Sequence, residues 1–489
     1  MHVVIVGAGI AGLAAAHELR RRAPDVRVTV VDGADRMGGK LRVSEVGGLA
    51  VDEGAEMFLV RVPEAVEVVR RLGLADRVVN PVTTAAGVVV DGVPRPLPAG
   101  TVMGVPARPE SVRDLLGAAA AQAVADEPGR PGEPLASDVA VGEYVERRLG
   151  RVFVDRLVDP LLGGVYAGRA DLLSLQATVP ALYAALRADP SLVRAAGSVV
   201  GAAAPGTAAV SGGAGDRGAA PADNRPVFGT LPDGLGALPA AVLAASGAEL
   251  RLRLPVRDIQ RTGSGFRLAA GPAPDPTYLD ADAVVVAAPA NKAAPMLRTA
   301  APAAAAELGG IEYASMAVVT VVYPGSAPPL LGRGPSVAGS GLLVPAVEGR
   351  TVKAITFSSA KWAHLAGGHT VVRASVGRYG EPGPLRRDDA DLVALVLADL
   401  AALTGLSAPP LATRVTRWGG GLPQYAVGHV DLVRRIRAAV AAVPGLAVCG
   451  AAYEGVGVPA CIRTAHTAVG QVLAALAESG HDQERARAE

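Results

Sequence analysis

An apolar run, Val3-Val-Ile-Val6, leads directly into Gly7-Ala8-Gly9-Ile10-Ala11-Gly12, followed by an Ala/Leu-rich stretch to Arg22 and a second apolar run from Val26 to Asp32. A short continuous apolar run suits a strand buried on both faces. Strand, glycine turn, helix and strand together make a βαβ unit, which requires a parallel sheet. The three glycines permit a tight turn, let a pyrophosphate approach backbone N–H groups at a positive helix end, and allow the helix to pack closely on the strand. Asp32 follows Gly12 by 20 residues, where a carboxylate accepts from a ribose hydroxyl and disfavours a 2′-phosphate. Gly7 to Gly12 with Asp32 and Gly33 therefore read as a dinucleotide site suited to FAD or NAD rather than NADP.

The rest of the composition excludes several other classes. The chain has 489 residues, 50% hydrophobic and 19% charged, with a formal net charge of +1, so it buries a large core and lacks the charge of a nucleic-acid binder. Its two cysteines, Cys449 and Cys461, cannot make a disulfide framework or a four-cysteine zinc site. The seven histidines form no HExxH pattern and no GxSxG elbow is present, so neither a metal site nor a serine hydrolase is expected. No secretory signal precedes Val3, and no run offers the ~20 clean apolar residues of a spanning helix. The expectation is a cytoplasmic enzyme without a transmembrane segment.

Further along, Gly87-Val-Val-Val-Asp-Gly reads as a hairpin strand and 111 to about 195 as helical segments. Residues 195–226 are rich in Gly, Ala, Pro and Ser and read as a flexible loop. Strands are expected at 254–259 and 283–288, both rejoining the first sheet, then a β-rich region at 311–380 and helices near 388–404 and 460–478.

Past the glycine motif, Asp35-Arg36-Met37-Gly38-Gly39-Lys40 and Val51-Asp52-Glu53-Gly54-Ala55-Glu56 resemble the extended FAD motif of the amine-oxidase-like flavoproteins. Trp418-Gly-Gly-Gly-Leu-Pro-Gln-Tyr425-Ala-Val-Gly-His429 and Gly450-Ala-Ala-Tyr453-Glu-Gly455-Val456-Gly457-Val458-Pro459-Ala-Cys461 resemble the paired signatures of the protoporphyrinogen/coproporphyrinogen oxidases within that superfamily. Pro160-Leu-Leu-Gly-Gly-Val-Tyr-Ala-Gly168 and Gly104-Val-Pro106 are similar to the same group, so the likeness spans nearly the whole chain.

That resemblance implies an α/β fold: a Rossmann-like FAD-binding domain with an inserted β-sheet substrate domain and a helical lobe. The implied segments are 1–85, 228–300 and 416–480 for FAD binding, 86–227 and 301–415 for the substrate domain, and a tail at 481–489. Arg36, Gly39 and Lys40 are expected near the dinucleotide, and Gly54, Ala55, Glu56 and Met57 along the flavin. Val256, Trp418, Gly450, Val456, Gly457 and Val458 complete the expected cofactor contacts. The absence of a reactive cysteine motif around Tyr453 implies non-covalent FAD.

Catalysis is then flavin-centred, with no side chain assigned as catalytic. A meso carbon of a porphyrinogen gives hydride to the flavin, a pyrrole N–H loses a proton, and oxygen reoxidises the flavin to yield hydrogen peroxide, repeated to a six-electron oxidation. The substrate implied is coproporphyrinogen III, with protoporphyrinogen IX as the alternative. A carotenoid desaturase or amine oxidase, and a non-catalytic tetrapyrrole-binding flavoprotein, are further readings. Arg61 is the candidate for a substrate propionate, although a surface arginine at a helix start fits the same pattern. Lys361 is a second substrate candidate, and Lys353 is expected on a solvated face. His429 is either a pocket residue or a hydrogen-bonded core histidine. The expected partners are a tetrapyrrole, oxygen and, transiently, a ferrochelatase.

Overall fold

The computed structural model describes residues 1–202, 226–325 and 339–488. Five parallel strands form the first sheet, in the order Glu249–Arg251, Arg27–Val31, His2–Val6, Ala283–Val286 and Leu446–Val448. Val3, Val4 and Ile5 are wholly buried, as the central position of their strand requires. On one face, helix Ile10–Arg22 packs against Ala237–Ser246 and the last helix, Val458–Ala488, around Leu13, Leu19, Val469 and Val472. Arg20, Arg21 and Arg22 in its last turn complement the negative helix end.

The strand expected at 254–259 does not join this sheet. Glu249–Arg251 takes that edge instead, and Val256–Thr262 pairs antiparallel with Gly265–Ala270, which pairs with Thr277–Ala281. The reason is legible in the side chains: Val256 and Ile259 are buried while most of the segment is wet, a one-sided strand suited to an antiparallel hairpin. Ala283–Val286, buried throughout, enters the parallel sheet as expected.

The second sheet has seven strands in the order Ala412–Pro423, Tyr313–Pro324, His369–Val376, Val352–Phe357, Gly341–Leu343, Ala86–Val90 and Val93–Pro96. Helix Asp389–Thr404 covers one face; the Asp388 side chain caps it by accepting from the Asp391 N–H, and Gly405 ends it at φ +77°. The helical lobe, with Tyr144, Phe153 and Leu162 in its core, packs beside this sheet.

Residues 195–202 are not loop but the end of helix Leu192–Ala202, while 203–225 lie outside the described residues. The helix forms because a distant carboxylate completes it: Glu127, fully buried, accepts from the N–H groups of Leu192 and Val193, from Ser191 Oγ and from Arg148 Nε. Lys353 is also unlike expectation. It lies on Val352–Phe357 only 7% exposed, beneath the helical lobe, with Nζ 3.4 Å from the Gly163 carbonyl, and burial lowers its pKa to about 7. Among the described residues no helix is long and apolar enough to cross a membrane.

Candidate functional site

The site grows from the end of the first strand. Gly7 has φ +114°, and a Cβ there would lie 2.9 Å from the Ala287 backbone. A Cβ on Gly12 would sit 1.9 Å from the Gly7 carbonyl oxygen, so only glycine lets the helix start this close to the strand. Gly9 is different: its Cβ would meet nothing within 4 Å. No neighbouring atom of the described residues requires glycine there, and the open space lies over the first turn of helix Ile10–Arg22, beside buried Ala8 and Ala11. This is the cradle a pyrophosphate needs.

Asp32 closes the cradle. Its two carboxylate oxygens accept from the N–H groups of Ala8 at 2.7 Å and Ala34 at 2.8 Å, which leaves further acceptor capacity on each oxygen. Gly33 abuts Pro255, and the Leu254 N–H donates to the Asp32 carbonyl, so Val256 is brought beside the end of the second strand. Gly38 donates its N–H to the Ala8 carbonyl, and Gly39, at φ +58°, packs against Gly9. Arg36 is half exposed and only loosely paired with Asp35 at 3.8 Å. Lys40 has no carboxylate partner among the described residues, and burial lowers its pKa. A partly buried lysine with no carboxylate counter-ion among the described residues, directly after Gly38 and Gly39 in the chain, suits the phosphates of a dinucleotide.

Beyond Lys40 the chain is locked from both sides. The Ala55 N–H donates to the Lys40 carbonyl, and a Cβ on Gly54 would lie 2.1 Å from the same oxygen. Trp418 Nε1 donates to the Glu53 carbonyl, which sets the indole against Gly54. Glu53 is buried and paired with Arg42 at 2.7 Å and Arg414 at 2.8 Å, and it accepts from Thr416 Oγ1.

Glu56 is the hub of a buried charge cluster. Its carboxylate is 2.5 Å from both Lys361 Nζ and Arg373 Nη1, and Arg373 also donates to the Gly54 carbonyl at 2.6 Å. Burial alone would raise its pKa; Lys361 and Arg373 outweigh that and hold it at about 2. Lys361 Nζ also lies 3.2 Å from Met57 Sδ. Asp52, close by, accepts from the Leu235 N–H at 2.9 Å, and burial raises its pKa to about 7 against the pull of Arg373. Since the folded state then holds the Asp52 proton more tightly than the unfolded chain, stability should fall as pH rises from about 4 to 7. Asp52→Asn is expected to flatten that segment of the stability curve, read from denaturation midpoints at several pH values; an unchanged slope would exclude Asp52 as its source.

At the C-terminal side, the turn Gly450 to Gly457 precedes the last helix, which begins at Val458. Gly450 and Gly455 have φ +126° and +135°. Tyr425 pins the turn: its hydroxyl donates to the Ala451 carbonyl at 2.5 Å and accepts from the Gly455 N–H at 2.8 Å. Val456 is half-buried against the helical lobe, Gly457 is exposed, and the Gly450 N–H donates to Thr464 Oγ1.

The substrate candidates separate. Lys361 is committed to Glu56. His429 is 3% exposed, stacks on Tyr425 with ring centroids 4.0 Å apart, and burial lowers its pKa to about 4, so the structure places it in the core. Arg61 sits before helix Pro63–Arg71 and donates through Nε to the Pro226 carbonyl at 3.2 Å. Sequence reasoning did not single out Arg373 or Tyr425. Arginine is too common in this chain to stand out, since only four of its 47 basic residues are lysines, whereas Tyr425 lies inside a motif already recognised.

A parallel sheet with a glycine cradle and an acidic strand end, joined to a largely antiparallel sheet carrying a helical lobe, has the architecture of a flavin-dependent oxidoreductase. The chain belongs to the flavin containing amine oxidoreductase family, which matches residues 10–473, and within it to the group of the coproporphyrinogen III oxidases. It is 37% identical to coproporphyrinogen III oxidase of Mycobacterium tuberculosis, covering 96% of this chain and 97% of the relative. It is 32% identical to coproporphyrinogen III oxidase of Bacillus subtilis, covering 96% and 98%. The crystal structure of a protein provisionally named protoporphyrinogen oxidase, from Exiguobacterium sp. 255-15, superposes with a TM-score of 0.81 at 31% identity, covering 96% and 98%. The α/β amine-oxidase-like fold expected from the sequence is thus the fold found.

Proposed function

We propose that this chain is an FAD-dependent coproporphyrinogen III oxidase of haem synthesis, using oxygen and releasing hydrogen peroxide. The observation that carries the reading is the full-length similarity to the coproporphyrinogen III oxidase of Mycobacterium tuberculosis at 37% identity. The residues fit the cofactor: N–H groups of the first helical turn, from Gly9 to Gly12, and the ammonium of Lys40 would hold the pyrophosphate, with Arg36 and Gly39 beside them. Asp32 would take the ribose, Gly33 and Val256 would border the adenine end, and Gly54 to Met57, Trp418 and Gly450 to Val458 would border the flavin. FAD held there would supply the acceptor for hydride and the route by which electrons reach oxygen. Attachment is non-covalent in this reading, because both cysteines are buried, and burial raises both thiols, that of Cys461 to about 11.

The chain's own contribution is to hold, orient and exclude water. Lys361 and Arg373 fix the Gly54 to Met57 segment through Glu56 and the Gly54 carbonyl, so their charges are spent on positioning. Arg61, just before helix Pro63–Arg71, is the guanidinium that this reading assigns to a substrate propionate. Arg61→Ala is expected to raise KM about tenfold, the loss of one charged hydrogen bond, while flavin content and kcat stay near wild type. Flavin-replete Arg61→Ala protein with an unchanged KM would remove that assignment.

Protoporphyrinogen IX is the second reading, favoured by the 28% identity with the chloroplastic protoporphyrinogen oxidase of Nicotiana tabacum. Air-triggered turnover of coproporphyrinogen III and protoporphyrinogen IX side by side, following porphyrin fluorescence and peroxide against autoxidation, separates the two. Faster coproporphyrin formation supports the first reading. Preference for protoporphyrinogen IX replaces it, and turnover of neither overturns both.

A further inference from the structure

The turn Gly450 to Gly457 is gripped by a segment from the other half of the protein. Tyr425 follows strand Ala412–Pro423 of the second sheet and is 1% exposed, with its ring in the core of the helical lobe, 5.4 Å from that of Tyr166. Its hydroxyl reaches out of that core to the turn, donating to the Ala451 carbonyl and accepting from the Gly455 N–H. Burial pushes this hydroxyl well above its usual pKa, so the proton it donates stays in place. Four residues on, the His429 ring stacks on Tyr425 and is itself hydrogen-bonded to the Ala452 backbone. Glu454, in the same turn, pairs with Arg437 and Arg463, but these pairs are part-exposed, and such pairs hold little.

The other end of the grip is anchored in the lobe. The Tyr425 carbonyl accepts from the Ser174 N–H at 2.7 Å, and Ala426 forms a β-bridge with Leu173. Asp138 ties the two segments together, accepting from the Gly428 N–H at 2.8 Å and from Ser174 Oγ at 2.6 Å. Val456, in the turn itself, packs against the lobe core. The turn is thus joined to the lobe as well as to the parallel sheet that leads into it.

We propose that Tyr425 is a positioning residue for the reaction: its hydroxyl holds the turn, and with it the flavin, at a fixed separation from a porphyrinogen held on the lobe side. The inference rests on the proposed function, in which the turn borders the flavin and the substrate domain holds the porphyrinogen. Hydride transfer needs near contact, and a misplacement of about 1 Å costs up to about a hundredfold in rate. Tyr425 itself makes and breaks no bond.

Tyr425→Phe in the flavin-loaded full-length protein removes the hydroxyl and keeps the ring in the lobe. The turnover rate per bound flavin is expected to fall at least about tenfold, with KM for the porphyrinogen within about twofold of wild type. The visible circular dichroism of the bound flavin is expected to change. Its midpoint potential should fall by about 20 mV, a fivefold loss of preference for the reduced form, because N–H groups at the positive end of the last helix favour the negative charge that reduction adds. Dichroism and potential are read without porphyrinogen, so neither depends on which porphyrinogen is the substrate. A tyrosine that only stabilised the fold would lower the thermal midpoint and leave both flavin signals unchanged, and that result overturns the proposal. So does a raised KM with an unchanged turnover rate, which would make Tyr425 a substrate contact.

Gly457→Ala tests the underlying reading, since its Cβ would meet no atom of the described residues closer than Pro459 Cδ at 3.7 Å. Dichroism changed by Gly457→Ala but not by Tyr425→Phe overturns the proposal and leaves the turn beside the flavin. Dichroism changed by neither removes the turn from the flavin, and the proposal with it. Should Tyr425→Phe not fold, His429→Gln, which loses the stacked ring, is expected to move both flavin signals in the same direction, and unchanged signals there overturn the proposal.

Discussion

Gly9→Glu is expected to yield a folded, colourless protein. The backbone at Gly9, φ −75° and ψ 175°, is open to any residue, and a Cβ there meets nothing within 4 Å, so the polypeptide itself has no objection to a side chain. The space a glutamate would fill is the cradle, and its carboxylate would repel a pyrophosphate at the helix end meant to attract one. Loss of that contact and the added repulsion should weaken flavin binding by more than about a hundredfold, or about 2.7 kcal/mol. Flavin absorbance after gel filtration measures it, with the thermal midpoint compared against flavin-stripped wild type. Retained flavin would show that the cradle is not the pyrophosphate site. Gly12→Ala is the contrasting control: its Cβ would lie 1.9 Å from the Gly7 oxygen, so the fold itself should suffer.

The second large effect is on stability. Glu56→Ala leaves Lys361 and Arg373, each about 8% exposed at the side chain, facing each other with no counter-charge. Breaking a buried pair by removing one partner costs about 3–5 kcal/mol. Because the Glu56 carboxyl is held at about 2, its stabilisation is complete above the unfolded carboxylate range and lost as pH falls from about 4.5 towards 2. The wild type should therefore lose stability across that acid interval, and the variant should lose less. Chemical denaturation across pH checks both, and adding Lys361→Met should recover part of the loss. A variant as stable as wild type would mean that water, not Glu56, satisfies the two cations.

Local chemistry explains which parts of this protein are readable. The βαβ unit, Gly7, Gly12 and Asp32 are dictated within about thirty residues, because strand period, turn sterics and helix packing all act on neighbours. Ala283–Val286 was readable for the same reason, its four apolar residues having no place but a doubly covered strand. The strand near 254–259 was misassigned because apolar residues flank it, whereas partnership is set by which face is wet and by the hairpin at Gly263 to Gly265. Helix Leu192–Ala202 looked like loop because its composition is poor, and the Glu127 carboxylate that completes its first turn comes from 65 residues away.

Charged residues show the same divide most clearly. The sequence by itself determined the glycine cradle, the acid at the second strand end, the paired C-terminal motifs and, through them, the family and its flavin. Only the tertiary structure decided that Lys361 and Arg373 meet on Glu56 and that Lys353 is buried beneath the helical lobe. Backbone geometry is imposed by nearest neighbours, but the pairing of a buried charge depends on which distant segments the closed fold brings within a few ångströms, where low polarity makes each pairing decisive.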